Sequence, residues 1–571
     1  MNHAGPRHGP GSTDAHEALI VLGERYFRTQ HTFDPWNATL LGLSEFDHLV
    51  GDARTECSEQ AAAEFRAIGA AVADLPAEQL NADDQVDRDV LATLTRGAMT
   101  EAADSLWAAN ASAKGYVSRQ GLVFQAMPAM KADDDAGREA YLIRLSGLAD
   151  MFARLGERYR TEAAAGRVPT QVGVLHAIKQ LEGYLSLPLD EDALLGPARG
   201  GVAEPAAALM VAEGVRPAML ELAEVLSTAL LPVARPDDRV GIRHLPDGEA
   251  AYQRAVARHT TTDATPEEIH EIGHQTLAQL RERWREVGTR AMGTGDVGEI
   301  AHRLRTDPAL RFTTRAEIVG VAEAALERAT AAQDEYYPHA GLPGCVIEEI
   351  NAVEAEHASL AYYRPPAEDG SRPGAHCLLT TNPQERFRFE YECLAFHESV
   401  PGHHLQLATC QQLDIPRYRR HLDAEACSFN EGWGLYCEAL AEELGLYSSD
   451  LDVLGRLSFM ALRACRLVVD TGMHHLGWSR QQAIDFMTAN TATTPTNVRN
   501  EVDRYIAWPG QALAYVMGQR EILRLREESQ DVLGERFSLP SFHHCVLGHG
   551  AVPLPVLARN VRQWQAQQVG A

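Results

Sequence analysis

Nowhere does the chain offer the roughly 18 consecutive uncharged apolar residues that a membrane helix needs, so a spanning protein is not expected. The opening "MNHAGPRHGPGSTD" has no apolar core of the kind that directs secretion, which points to a cytoplasmic location. Positive charge is scarce: 52 Lys and Arg against 79 Asp and Glu give a net charge of −27, a field that repels phosphate backbones and anionic lipid surfaces. Nucleic acid and membranes are therefore poor partners, and no basic run escapes the average. The nine cysteines never fall into a C-x-x-C pair, and in a reducing compartment they read as small buried hydrophobes. No low-complexity block is present, so the 571 residues are those of an ordinary folded enzyme-sized body.

What is there is mostly helix. In "TPEEIHEIGHQTLAQLRERWREV", Ile269, Ile272, Leu277, Leu280, Trp284 and Val287 keep one stripe apolar. Thr265 can cap this helix, Pro266 suits its first turn and Glu268 completes a capping box. Thr314 with Glu317, and Ser479 with Gln482, repeat the device. One region breaks the pattern: "CVIEEIN", "ASLAYYRPP" and "AHCLLTT", within about residues 344–382, predict a small inserted β-sheet. A strand edge there could receive an extended peptide by strand addition. Gly, Pro and Asp-rich stretches around 190–240 suggest loops and a soft boundary. It separates an N-terminal helical region, 1–240, from a C-terminal region, 241–571, that carries the chemistry, unless the two form one continuous unit.

The chemistry concentrates in "LAFHESVPGHHLQLAT". His397 and Glu398 stand like the start of the H-E-x-x-H helix of a zinc peptidase, but Pro401 occupies the place of the second histidine. The next imidazoles are His403 and His404. On a straight helix, His397 and His404 would lie about 10.5 Å apart along the axis, and His403 would point away. Pro401 removes a backbone donor and Gly402 adds conformational freedom, so a kink or bulge can return a later imidazole to His397. His403 is the favoured second ligand and His404 the alternative.

Two histidines and a carboxylate make a zinc site, and "SFNEGWGLYCEALAEELG" supplies Glu431 as the third ligand, with Asn430 and Glu438 as candidates to orient the ligands from behind. Zinc is the expected ion, although other divalent transition metals take the same donors. Glu398 then stands as the general base for a water that the ion activates.

At these residues the chain resembles the bacterial domain of unknown function 885 family, whose members carry H-E-x-x-P-G-H-H and E-G-W-x-L-Y-x-E segments. The resemblance extends through "DPWNATLLG", "LPDGEAAYQRAV", "VVDTGMHHLGWS", "RYIAWPGQALAYVMG" and "FHHCVLGHGAVPLPVL". It implies a large helical architecture, similar to that of helical zinc peptidases, with a deep cleft. Gly434 stands where the family usually has alanine. Under this reading Tyr505 and Tyr515 could face the cleft. Tyr515 becomes a candidate to stabilise an oxyanion, and His474, four residues after Asp470, a second one.

The expectation is thus a mostly α zinc metallohydrolase cleaving peptide or other amide bonds in short peptides. A small amide metabolite is the alternative substrate, and a non-catalytic, metal-stabilised binding protein the alternative class.

Overall fold

Helix starts follow the capping chemistry of the chain. In the computed structural model, which describes residues 13–114, 117–338, 341–350, 360–366, 372–422 and 424–570, helix Pro266–Met292 opens with a full capping box. Thr265 accepts from the Glu268 N–H at 3.2 Å, and Glu268 accepts from the Thr265 N–H at 2.9 Å. Ser479 and Gln482 form the same box on helix Arg480–Asn490. Thr314 caps helix Arg315–Ala331, but Glu317 turns its carboxylate to the N–H of Thr313 instead, so this box is half made. The opening segment up to Ser12, and Asn351, Ala358 and Ser359 of the strand-like segments, lie outside the described residues.

The architecture is mostly helical with one small sheet. In helix Pro266–Met292 the stripe from Ile269 to Val287 is buried, with Ile272 half-buried at its margin. It packs along helix Asp450–Thr471, whose Leu467 and Val468 are fully buried. The loop-like stretches around 190–240 frame a helical segment, Glu204–Leu230, between turns.

Three large apolar cores hold the helices. One joins Phe65 and Ile68, from the first hundred residues, to Trp433, Tyr436 and Phe542. A second surrounds Leu277, Leu467 and Met517. The third, with Trp36, Tyr141, Phe152 and Leu222, is built from residues before 240, whereas the first crosses that position.

The sheet forms where the alternating apolar segments predict it, with order β1-β3-β2: β1 Cys345–Glu349, β2 Ala361–Arg364 and β3 Gly374–Leu378. β3 lies parallel to β1 and antiparallel to β2. It packs on helix His403–Gln412, and both its edges are hydrogen-bonded to neighbours. The expected peptide-receiving edge is therefore not on this strand, because its backbone groups already serve the ladder.

Helices Cys427–Glu443 and Ala514–Leu533 cross at glycine on glycine. A Cβ on Gly432 would come within 2.6 Å of the Gly518 backbone, and one on Gly518 within 1.7 Å of the Ser428 carbonyl oxygen. This crossing fixes Tyr515 relative to Glu431. Gly518→Ala should therefore force the helices apart and cost about 1–3 kcal/mol, read as a lower midpoint in urea unfolding.

Candidate metal centre

The helix bearing the first motif does not bulge; it breaks. Helix Tyr391–Glu398 ends directly after His397 and Glu398, and a new helix, His403–Gln412, starts at the second motif histidine. Between them the chain doubles back so tightly that a Cβ on Gly402 would lie 1.8 Å from the His397 carbonyl oxygen. No side chain fits there. The break needs donors for its carbonyls, since unpaired backbone groups are costly to bury. The second motif provides them: Trp433 Nε1–H donates to Pro401 O at 3.0 Å, and Cys437 Sγ–H donates to the same oxygen at 3.2 Å. The two motifs therefore pack as one unit.

That packing brings His397, His403 and Glu431 together, with one donor atom of each inside a set whose members all lie within 4.8 Å of one another. Nε2 of His397 is 3.4 Å from Glu431 Oε2, and Nε2 of His403 is 3.8 Å from the same oxygen. Ligands at about 2.0–2.2 Å from a tetrahedral ion stand roughly 3.2–3.6 Å apart, so the two imidazole–carboxylate separations are already close to those of a shared metal.

The outer nitrogens are already committed. His397 Nδ1–H donates to Glu438 at 2.8 Å, and the Arg463 guanidinium pairs with the same carboxylate oxygen at 3.0 Å. His403 Nδ1–H donates to Gln406 at 3.2 Å, Gln406 to Asn430 at 3.4 Å, and Asn430 to the Leu422 carbonyl at 2.9 Å. Each imidazole is left with Nε2 facing inward, the tautomer a metal ligand needs. Glu438 and Asn430 thus occupy the orienting places expected of them. Arg463 and Gln406 escaped sequence reading, although two arginines within the apolar "FMALRACRLVV", Arg463 and Arg466, are a signal that buried acids await them.

His404 belongs elsewhere. One residue further along the new helix it faces the sheet, where Tyr363 O–H donates to Nδ1 at 2.9 Å and Nε2–H donates to the Pro343 carbonyl at 3.0 Å. Gly374 leaves room for this ring, since a Cβ there would lie 2.7 Å from Nδ1. With both nitrogens engaged and its pKa pushed down to about 4 by burial, His404 is not a ligand in this arrangement.

Glu398 ends its helix half-buried, with no hydrogen bond to its carboxylate among the described residues, and its charge acts on both His397 and His403. Tyr515 is also half-buried. Burial first, then the charge of Glu431, raises its pKa, while Arg466 stacks over its ring at 4.5 Å.

Two other candidates lie outside the site. His474 is fully buried, accepts from the Ile242 N–H at 3.1 Å and donates to the Tyr505 carbonyl at 3.0 Å. Asp470 serves Tyr252 and Gly510 instead of His474. The four-residue spacing fails because residues Gly472–Leu476 form a wider π-turn. Tyr505 is buried against Arg466 and Glu501 and does not face the centre.

A third histidine went unread. His376 on β3 is fully buried with neither ring nitrogen hydrogen-bonded, its pKa is pushed down to about 3 by burial, and the charge of His397 reaches it. Nothing in its strand singles it out, since all five residues of β3 are buried.

Side chains of Glu431 and His403 keep 24% and 13% of their surface, so the ligand cluster is reachable from solvent. Burial opposes charge on His397, but hydrogen bonds to Glu431 and Glu438 outweigh it and push its pKa up to about 10. Glu431, despite burial, is held well below the carboxylate range by His397 and His403.

A mostly helical body around a three-donor, two-histidine and carboxylate cluster is the class these observations define. The chain belongs to the family described as bacterial protein of unknown function (DUF885), whose model matches residues 35–561. Two solved structures share the fold. A candidate lipoprotein from Colwellia psychrerythraea has a TM-score of 0.88 at 27% identity, covering 97% of this chain and 99% of its own. A candidate lipoprotein of unknown function from Shewanella oneidensis has a TM-score of 0.75 at 16% identity, covering 95% of this chain and 99% of its own. No curated protein matches.

Two outcomes check the centre. His403→Gln should reduce zinc affinity by at least the roughly 10–100-fold that loss of an outer partner costs, whereas His404→Gln should keep one zinc per chain, both read by competition with a chromophoric chelator. Zinc must also displace the proton that His397 carries below a pKa of about 10. Affinity should therefore rise with pH through neutrality and beyond, instead of levelling near the ordinary histidine pKa.

Proposed function

We propose that the chain is a metal-dependent hydrolase of amide bonds, zinc being the preferred ion, with short peptides as substrates. The observation that carries this reading is the convergence of His397 Nε2, His403 Nε2 and Glu431 on one point that solvent can reach. When bound, the metal would supply a Lewis acid that polarises a carbonyl and acidifies water. The protein's own groups would do the rest. Glu398, unencumbered at its helix end, would take a proton from the attacking water and return it to the leaving amine. Tyr515, close enough to Glu431 to feel its charge, would donate its O–H to the developing oxyanion. Glu438 and Arg463 would hold the His397 ring in register.

A purely structural metal is usually closed by four protein ligands. His404 is the residue that could have closed this one, and it is turned to the sheet. Three ligands with an accessible side favour catalysis over the non-catalytic alternative. A non-peptide amide fits the centre equally well.

Location is part of the proposal. All nine cysteines are free thiols, six of them buried, which favours the reducing cytoplasm. The two similar structures are candidate lipoproteins, a class held at membranes by acyl chains, which favours the cell envelope. No helix among the described residues is long and apolar enough to cross a membrane. Cell fractionation separates the two.

Glu398→Gln should retain zinc and lose about 10²–10⁴-fold in kcat, and Tyr515→Phe about 10²-fold or more, against a library of short peptides and acylated amino acids. Wild-type activity that survives Glu398→Gln would remove the general base. A purified chain that binds no metal would sink the whole reading.

A further inference from the structure

Outside the candidate centre, another pair of imidazoles shares one helix face. His270 and His274 stand four residues apart on helix Pro266–Met292, so their rings project side by side. Their Nε2 atoms are 3.2 Å apart and their ring planes meet at 69°. Two nitrogens each about 2.0–2.1 Å from one transition metal lie about 2.8–3.4 Å apart when they subtend anything from a right angle to the tetrahedral angle. The pair is already at chelating distance with no movement of the backbone.

Its protonation is also arranged for ligation. The hydroxyl hydrogen of Thr471 goes to the carbonyls of Leu467 and Val468, at 2.6 and 3.2 Å. The Thr471 oxygen therefore accepts, and His270 Nδ1–H donates to it at 2.8 Å. Nε2 of His270 carries the lone pair and faces His274. A hydrogen-bond partner behind a ligating histidine that fixes its tautomer is the usual support of a metal site. Without an ion, His274 Nε2–H donates across the 3.2 Å gap. With one, that hydrogen moves to Nδ1 of His274, a ring exposed to water, and both Nε2 lone pairs become available.

The surroundings complete a shallow half-site. Trp478 meets His270 edge-on at 5.6 Å, and Phe486 meets His274 edge-on at 5.6 Å. His475 is held by Glu267 at 2.6 Å and does not join the pair.

We propose that His270 and His274 form a second metal site, a two-histidine chelate for a divalent transition ion such as copper(II), nickel(II) or zinc(II), with water in the remaining positions. Imidazole donors suit these ions, and copper(II) should bind most tightly. The site is independent of the reading given to His397, His403 and Glu431.

Copper(II) titrated into the full-length, metal-stripped chain tests it, with stoichiometry from calorimetry and quenching of tryptophan fluorescence as a local reporter. The wild type should take two ions, His274→Gln one and His397→Gln one. The quenching lost in His274→Gln should be lost as well in Trp478→Phe. Thr471→Val, which frees the His270 tautomer, should weaken the second site by about 10-fold or more while leaving the first unchanged. Two ions and full quenching in His274→Gln would overturn the proposal, as would a wild type that titrates only the centre lost in His397→Gln.

Discussion

The hydrogen bonds from Trp433 and Cys437 to the Pro401 carbonyl are the constraint on which the centre depends. A helix that stops inside a protein exposes carbonyls with no intrahelical partner, and these must be met from outside. Here the donors lie on the helix that bears Glu431 and Glu438, so satisfying the break also sets the separation of the two ligand-bearing elements. The glycines carry this further. Gly402 lets the chain fold back on His397, Gly434 lies flat against the His397 ring, and Gly432 with Gly518 lets the Tyr515 helix touch the Glu431 helix. Backbone proximity, not side-chain reach, assembles the centre.

Electrostatics then decides what the assembled groups can hold. Charge in a protein interior is costly unless compensated. His397 and His403 share Glu431, His397 also leans on Glu438, and Arg463 balances Glu438 from beneath. Burial opposes ionisation of Glu438, yet Arg463 and His397 keep its pKa low. The result is a row of alternating charges in which each carboxylate is matched by a neighbouring imidazole or guanidinium.

Much of this was readable in advance because it follows from local chemistry. Caps at Thr265 and Ser479, the apolar stripe from Ile269 to Val287 and the short alternating strands need only neighbouring residues to declare themselves. The pairing of His397 with Glu431 was readable from donor type, and the family membership from two ordered motifs. Reading stopped where the backbone path changes the count of residues per turn. The choice of His403 over His404 is set by where a new helix starts after the break, and the separation of Asp470 from His474 by a π-turn; neither carries a spacing rule. Arg463, Gln406 and His376 come from distant segments, so only the folded chain shows what they face.

The double pairing of β3 limits where another extended segment can join the sheet. Enzymes that seat a peptide as an extra strand are committed to backbone direction and handedness, since the ladder accepts little else. The strand packed on the His403 helix offers no such template, its N–H and C=O groups being spent on β1 and β2. Backbone donors and acceptors for a further strand remain only on the outer edges of β1 and β2, the two strands that β3 holds apart.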